Sequence, residues 1–285
     1  MQKHLPEYLK RGIIDTDKTK TVRRILKEKC LNTVCEEARC PNKAECYSKD
    51  TATFMIMGDT CTRNCRFCNI NSGKPNPLDP DEPLHVAQAV KELGLNYAVI
   101  TSVTRDDLPD GGAEHFSKTI KEIKKLSPNT KVEVLIPDFK GDLKALDIVL
   151  DAKPEVLNHN VETIPRLYKT VRPQAIYERS LEVLAHSKSK VVTKTGIMVG
   201  LGETQEDLIE LFKDLKSINL DILTIGQYIR PSKNHLEVVK YYTPSEFEEL
   251  KELAQKKGIK TVISAPLVRS SFKAFEAYKE ITKFS

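Results

Sequence analysis

Residues Val192–Ile218, VTKTGIMVGLGETQEDLIELFKDLKSI, read as one complete structural unit. The β-branched run Val192–Val199 has the composition of a buried strand. Gly200 and Gly202 mark a turn. Thr204 followed by the acids Glu206 and Asp207 is a helix start, and an amphipathic stretch then runs from Glu206 to Ile218.

The same alternation recurs from Thr53 onward. Candidate strands are Thr53–Met57, Tyr97–Val103, Lys131–Ile136, Glu155–Asn158, Val192–Val199, Asp221–Gly226 and Thr261–Ser264. Helices are predicted over Leu84–Leu93, Glu114–Leu126, Leu143–Asp151, Ala175–His186, Glu206–Ile218 and Pro244–Lys257. Thr243-Pro244-Ser245-Glu246 places proline early in the last of these, with acids in its first turn. Strands alternating with helices predict an α/β fold with a parallel sheet. Six or seven βα units are too few for a full eight-unit barrel, so the expectation is a partial (βα)6-type TIM barrel over residues 51–265. Residues 1–50 form a polar lead-in, helical around Thr21–Lys29 and without a strand signal; residues 266–285 form a C-terminal segment.

In parallel βα architectures the chemistry sits after the C-terminal ends of strands. The polar clusters of this chain fall there. Cys61, Cys65 and Cys68 follow the first strand, Thr104–Asp107 the second, and His159–Glu162 the fourth. Gly200–Glu203 follow the fifth, Gln227–Ser232 the sixth, and Arg269–Ser271 come shortly after the last.

Composition narrows the class. Forty per cent hydrophobic and 30% charged residues describe an ordinary globular chain able to bury a sizeable core over 285 residues. No apolar run approaches the roughly 20 residues that span a bilayer, and the N-terminal stretch lacks a secretory signal, so no membrane association and a cytoplasmic location are expected. A net charge of +5 from 45 basic and 40 acidic residues is mild, and the basic runs are interspersed with acids. With no accompanying motif and 6% aromatics, nucleic-acid binding is not expected.

Six of the seven cysteines form two triplets, Cys35-x4-Cys40-x5-Cys46 and Cys61-x3-Cys65-x2-Cys68. An odd count at short spacings points to metal-binding thiolates in a reducing compartment. A structural zinc site takes four protein ligands, whereas three thiolates leave a position for a cofactor, a substrate or a non-cysteine side chain. An iron–sulfur cube tolerates such a unique iron. Zinc with an unrelated fourth ligand is the competing reading. Phe67, beside the last cysteine, is placed to pack on a cluster and limit water. Cys30 lies outside both triplets and reads as an ordinary thiol.

The Cys61–Cys68 loop, with its aromatic before the last cysteine, resembles the signature of radical S-adenosylmethionine enzymes. The second triplet upstream narrows the resemblance to the lipoyl synthases. Agreement extends through Asp50–Phe54, Thr101–Asp107 with Asp110-Gly111-Gly112, Asn158–Glu162, Gly200–Thr204 and Arg269-Ser270-Ser271. Phe272 stands where that family's motif usually has tyrosine, which removes a hydroxyl but no ligand.

The resemblance implies two [4Fe–4S] clusters. Cys61, Cys65 and Cys68 would hold the one that reduces S-adenosylmethionine; Cys35, Cys40, Cys46 and Ser271 would hold an auxiliary one closed by the C-terminal segment, with Ser270 as the second choice of serine. On sequence alone the two serines read as a helix N-cap pair ahead of Phe272–Ile281, and one serine can cap while the other ligates. Gly111, Gly112, Asn158, Glu162, Arg172 and Glu203 are implied neighbours of S-adenosylmethionine. Glycine here also marks simple turns, Asn158 and Glu162 are placed to end a strand and begin a helix, and Arg172 to pair on the surface. The implied reaction is radical insertion of two sulfurs, taken from the auxiliary cluster, at C6 and C8 of an octanoyl-lysine on a carrier domain, with an external electron donor. A different radical enzyme with an auxiliary cluster would lack the pairing of the first triplet with Arg269–Ser271, and a scaffold that stores or relays metal would not need the glycine-bearing loops after the strands nor cleave S-adenosylmethionine. Adjacent Asp106 and Asp107 point opposite ways in an extended stretch and are not expected to form a catalytic pair.

Overall fold

The computed structural model describes residues 5–10, 17–37, 40, 42–48 and 52–282. Asp50 and Thr51 of the resembling stretch Asp50–Phe54 lie outside them. The chain forms two compact units. The first gathers Gly12–Asn64 and Asn69–Leu157; the second gathers Met1–Arg11, Cys65–Cys68 and Asn158–Ser285.

The first unit carries strands β1 (Asn32–Thr33), β2 (Thr53–Ile56), β3 (Tyr97–Ser102) and β4 (Lys131–Leu135), hydrogen-bonded in that order. β2, β3 and β4 are parallel: Phe54 lies opposite Ile100, and Ile100 opposite Val134. β1 corrects the expectation of a lead-in without strands, since Asn32 and Thr33 pair antiparallel with Met55 and Phe54. Two residues are too few to leave a pattern in sequence. Helices Asp17–Glu28, Glu82–Glu92, Ala113–Leu126 and Leu143–Asp151 belong to this unit.

Strand β5 (Val156–Asn158) leads into the second unit, where β6 (Val192–Val199), β7 (Ile222–Gln227) and β8 (Thr261–Ser264) are parallel neighbours. Thr195 lies opposite Leu223 and Val262 opposite the same residue. Helices Tyr177–Ser187, Gln205–Ser217, Pro244–Lys256 and Ala274–Thr282 alternate with them. Both helix starts read from sequence close as reciprocal capping boxes: Thr204 Oγ1 accepts the Asp207 N–H at 3.2 Å and Thr243 Oγ1 the Glu246 N–H at 3.3 Å. Leu208, Leu211, Phe212 and Leu215 bury one stripe of the Gln205–Ser217 helix beside Leu223, Ile225 and Phe247. Among the described residues no helix is long and apolar enough to cross a membrane.

Parallel strands bring their C-terminal ends to one edge, so within each unit the loops that follow them are neighbours. That arrangement depends on the buried stripes. Phe212→Ala, which empties a fully buried ring site, is expected to cost about 3–5 kcal/mol, whereas Thr204→Ala, which removes only a cap, costs about 1 kcal/mol. Urea unfolding of the two variants checks the ratio; equal losses would contradict the packing described.

Candidate iron–sulfur and cofactor site

In the first unit the cysteine loop is laced to the loop after β3. Thr62 donates through both its N–H and its hydroxyl to the Thr104 carbonyl, each at 3.0 Å, and its Oγ1 accepts the Asp106 N–H at 3.0 Å. Cys61 Sγ accepts two backbone N–H groups, from Thr104 at 3.3 Å and Arg63 at 3.4 Å.

The Arg63 guanidinium is buried. It meets both oxygens of Asp106, Nε to Oδ2 at 2.7 Å and Nη2 to Oδ1 at 3.0 Å, and donates to Asp138 at 2.6 Å. Burial opposes its charge, but the bonds to Asp106 and Asp138 outweigh that and raise its pKa. Asp107 turns the other way, to Arg105 at 2.8 and 2.9 Å, which holds its carboxyl below the usual range. The expected division of the two aspartates is therefore what the backbone produces.

The upstream triplet also lies in this unit. Cys35 is buried, Cys40 and Cys46 are half-buried, and none of the three is in a disulfide. The Cys40 N–H donates to the Cys35 carbonyl at 3.1 Å, and the Cys46 N–H to the Asn42 carbonyl at 2.9 Å. Burial first, and then the proximity of Cys40 and Cys46, push the Cys35 thiol up to about 12. Among the described residues no three Cys, His, Asp or Glu side chains gather tightly enough to hold a single metal ion. Gly111 and Gly112 adopt left-handed backbone, φ +61° and +91°. A Cβ at Gly111 would stand 2.9 Å from the Phe139 ring, and one at Gly112 would collide with Met57 Sδ, so this chain's own side chains fill their space.

In the second unit Cys65 and Cys68 sit in a tight turn, the Cys68 N–H donating to the Cys65 carbonyl at 3.0 Å. Arg66 donates its N–H to the Val171 carbonyl at 2.9 Å, and Leu236 donates to Arg66 at 3.2 Å. His235 Nε2 lies 2.9 Å from the Cys68 carbonyl and its Nδ1 2.8 Å from Ser232 Oγ. Phe67 packs on Val171, Leu201 and Tyr228.

Of the expected cofactor neighbours, Glu162 and Arg172 come together. Arg172 Nη1 donates to the Asn160 carbonyl at 2.7 Å, Asn160 Nδ2 donates to Glu162 at 3.1 Å, and the Arg172 and Arg269 charges both act on Glu162. Arg172 is buried, not a surface partner, and its guanidinium lies 5.3 Å from the Tyr168 ring centre. Its Nε and Asn160 Oδ1 are buried with no hydrogen-bond partner among the described residues. Asn158 ends β5, fully buried. Glu203 faces its own loop, accepting the N–H of Gly200 at 2.6 Å and Leu201 at 2.9 Å. Ser270 and Ser271 are half-buried, and the last helix begins later, at Ala274.

Sequence reading passed over Arg63, Asp138, Gln227 and His235 as individual residues. A charged residue inside a metal-spaced cysteine loop was a usable signal for Arg63. For Gln227 the only signal was its place at the head of the polar cluster after its strand: its buried amide donates to the carbonyls of Val199, Tyr228 and Lys240 at 3.0–3.1 Å and accepts the Tyr242 N–H at 2.9 Å, a set that draws on segments 13 to 28 residues away as well as on its neighbour.

Residues 55–215 match the family model of the radical SAM superfamily. Over 284 residues the chain is 56% identical to the lipoyl synthase of Caldicellulosiruptor saccharolyticus, covering 99% of this chain and all of that one. The lipoyl synthase of Aquifex aeolicus is 53% identical over 268 residues, 93% of this chain and 97% of that one. The chain belongs to the lipoyl synthase family.

Solved structures share the fold. Methylornithine synthase superposes with a TM-score of 0.54 at 13% identity, over 88% of this chain and 83% of that one. SuiB of Streptococcus suis, bound to S-adenosylmethionine, gives 0.58 at 12% identity over 82% and 56%. At such identities the likeness is one of fold. Membership in the lipoyl synthase family makes the chain a radical SAM enzyme that uses S-adenosylmethionine and [4Fe–4S] clusters, an auxiliary one included.

The donor chemistry fits those groups. The Cys35 thiol, pushed up by burial and by the nearness of Cys40 and Cys46, gains from a cationic iron cluster that offsets the charge of its thiolate, and Cys61 Sγ accepts two backbone N–H groups. The buried unpartnered atoms of Asn160 and Arg172 fit a polar ligand such as the amino-acid or ribose part of S-adenosylmethionine.

Burial raises the Glu162 carboxyl above the usual carboxylate range, against the pull of Arg172, Asn160 and Arg269. The folded chain therefore holds this proton more tightly than the unfolded chain. The associated stability is full below the ordinary glutamate value and is lost as pH rises through the elevated one. Urea titrations of the chain without cofactor across that window should show stability falling with pH in wild type and a flatter profile in Glu162→Gln. Matching slopes would contradict the assignment.

Proposed function

We propose that this enzyme inserts two sulfur atoms at C6 and C8 of an octanoyl chain amide-linked to a lysine of a lipoyl carrier domain, producing the lipoyl group. The observation that carries the reading is the 56% identity to a lipoyl synthase along 99% of the chain, with both cysteine triplets present. In this reading Cys61, Cys65 and Cys68 hold the reducing cluster, and Cys35, Cys40, Cys46 and Ser271 hold the auxiliary one. The lead-in 1–50 and the tail 266–285 then serve the auxiliary cluster, and residues 51–265 serve the radical chemistry.

When bound, S-adenosylmethionine and the reducing cluster supply hydrogen-atom abstraction at an unactivated carbon, and the auxiliary cluster supplies sulfur. The chain's own work is placement and exclusion. Phe67, packed on Val171, Leu201 and Tyr228, shields the Cys65–Cys68 turn from water. Glu162, Asn160 and Arg172 offer carboxylate, amide and guanidinium groups to the polar parts of S-adenosylmethionine, and Glu203 keeps the Gly200–Gly202 loop closed. In the first unit Gly111 and Gly112 let Phe139 and Met57 pack tightly against the backbone of their turn. Ser271 presents a hard oxygen to iron, a weaker partner than thiolate and so releasable during turnover. The enzyme works in the cytoplasm with an external electron donor and an octanoylated carrier, whose acidic surface suits the mild positive charge.

Turnover of an octanoyl-lysine peptide under anaerobic reduction tests this. Cys35/Cys40/Cys46→Ala should still cleave S-adenosylmethionine but form no lipoyl product. Ser271→Cys should keep its cluster and lose sulfur transfer. Full lipoyl formation by the triple variant would refute the sulfur source, and by Ser271→Cys the serine release.

A further inference from the structure

Arg63 is not a ligand by chemistry, yet its side chain is heavily committed. Its guanidinium is 6% exposed as a residue, and its three bonds reach two loops, Asp106 after β3 and Asp138 after β4. Lys140 adds to the same knot, its Nζ donating to the Asp106 carbonyl at 2.9 Å and its N–H to Asp138 Oδ1 at 3.1 Å. Asp106 lies two residues beyond Thr104, and Thr104 supplies one of the two N–H donors on Cys61 Sγ. The other donor is the N–H of Arg63 itself.

The clamp thus joins, through covalent backbone on both sides, the two groups that donate to one sulfur. Hydrogen bonds to ligand sulfur favour the electron-richer state of an iron–sulfur cluster and so raise its potential. Both donors are backbone groups, so their aim is governed by where the loops are held. Bidentate pairing of guanidinium with carboxylate fixes direction as well as distance, which a single ammonium bond does not.

We propose that Arg63 is a positioning residue: by clamping Asp106 and Asp138 it aims the Thr104 and Arg63 N–H groups at Cys61 Sγ and thereby raises the midpoint potential of the cluster bound there. The inference rests on the reading that Cys61 ligates the reducing cluster. It separates from a through-space charge effect by sign. Arg63→Lys keeps the positive charge and loses the fork, so charge alone predicts no shift. Asp106→Asn removes a negative charge, so charge alone predicts a higher potential, but it also replaces one acceptor of the fork by an amide donor. Positioning predicts a lower potential in both.

The test is an EPR-monitored redox titration of the anaerobically reconstituted full chain, in the Cys35/Cys40/Cys46→Ala background so that one cluster is observed. Iron content is measured alongside, and amide hydrogen exchange at Thr104 is measured without cluster. The expected result is full loading with a lowered midpoint in both variants, and exchange at Thr104 faster by about tenfold, the loss of one hydrogen bond. An unchanged midpoint in loaded Arg63→Lys, a raised midpoint in Asp106→Asn, or unchanged Thr104 exchange would overturn it. Loss of cluster in both variants with a native circular dichroism spectrum would also overturn it, making Arg63 an assembly support. Failure of the background chain itself to load would instead refute the ligand reading.

Discussion

A guanidinium withdrawn from water needs carboxylates around it, and Arg63 meets two. That pairing is the constraint on which the first unit's functional edge depends. It ties the cysteine loop to the loops following β3 and β4, which the Lys140 bond to the Asp106 carbonyl also joins. An arginine left with one partner would keep guanidinium N–H groups buried without an acceptor. The loops therefore take the geometry in which both aspartates reach it, and Cys61 inherits its two N–H donors as a consequence.

The second unit solves the same problem with neutral and backbone groups. Gln227 uses all its amide valences on backbone, tying the 239–242 segment to the ends of β6 and β7. Glu203 closes its own glycine loop, and no Cβ fits at Gly200 against Gln227 and the Lys240 carbonyl. The Cys65–Cys68 turn is held from outside by Val171, Leu236 and His235. These contacts are made by parts of the chain far apart in sequence, so rigid elements hold loops that carry no regular structure of their own.

What the sequence showed follows from range. Strand β6 and helix Leu143–Asp151 were legible to the residue because β-branched runs and amphipathic stretches are local signals. The starts at Thr204 and Thr243 were legible because a capping box spans four residues. The cysteine triplets were legible because ligand spacing within a loop is a local constraint. β1 was not, because two residues owe their pairing to Phe54 and Met55 and to no propensity. Nor was the packing role of Gly111 and Gly112, which depends on Phe139 and Met57. For Arg172, an implied cofactor neighbour, the sequence left surface pairing open; the residue is buried, with the Asn160 carbonyl and the Tyr168 ring receiving it.

The central claim is that one chain carries two clusters, one to generate reactivity and one to provide sulfur. Iron and acid-labile sulfide per chain after anaerobic reconstitution test it most directly, comparing wild type with Cys35/Cys40/Cys46→Ala. About eight of each are expected in wild type and about four in the variant. About four in both would mean that the first triplet holds no cluster, and would contradict it.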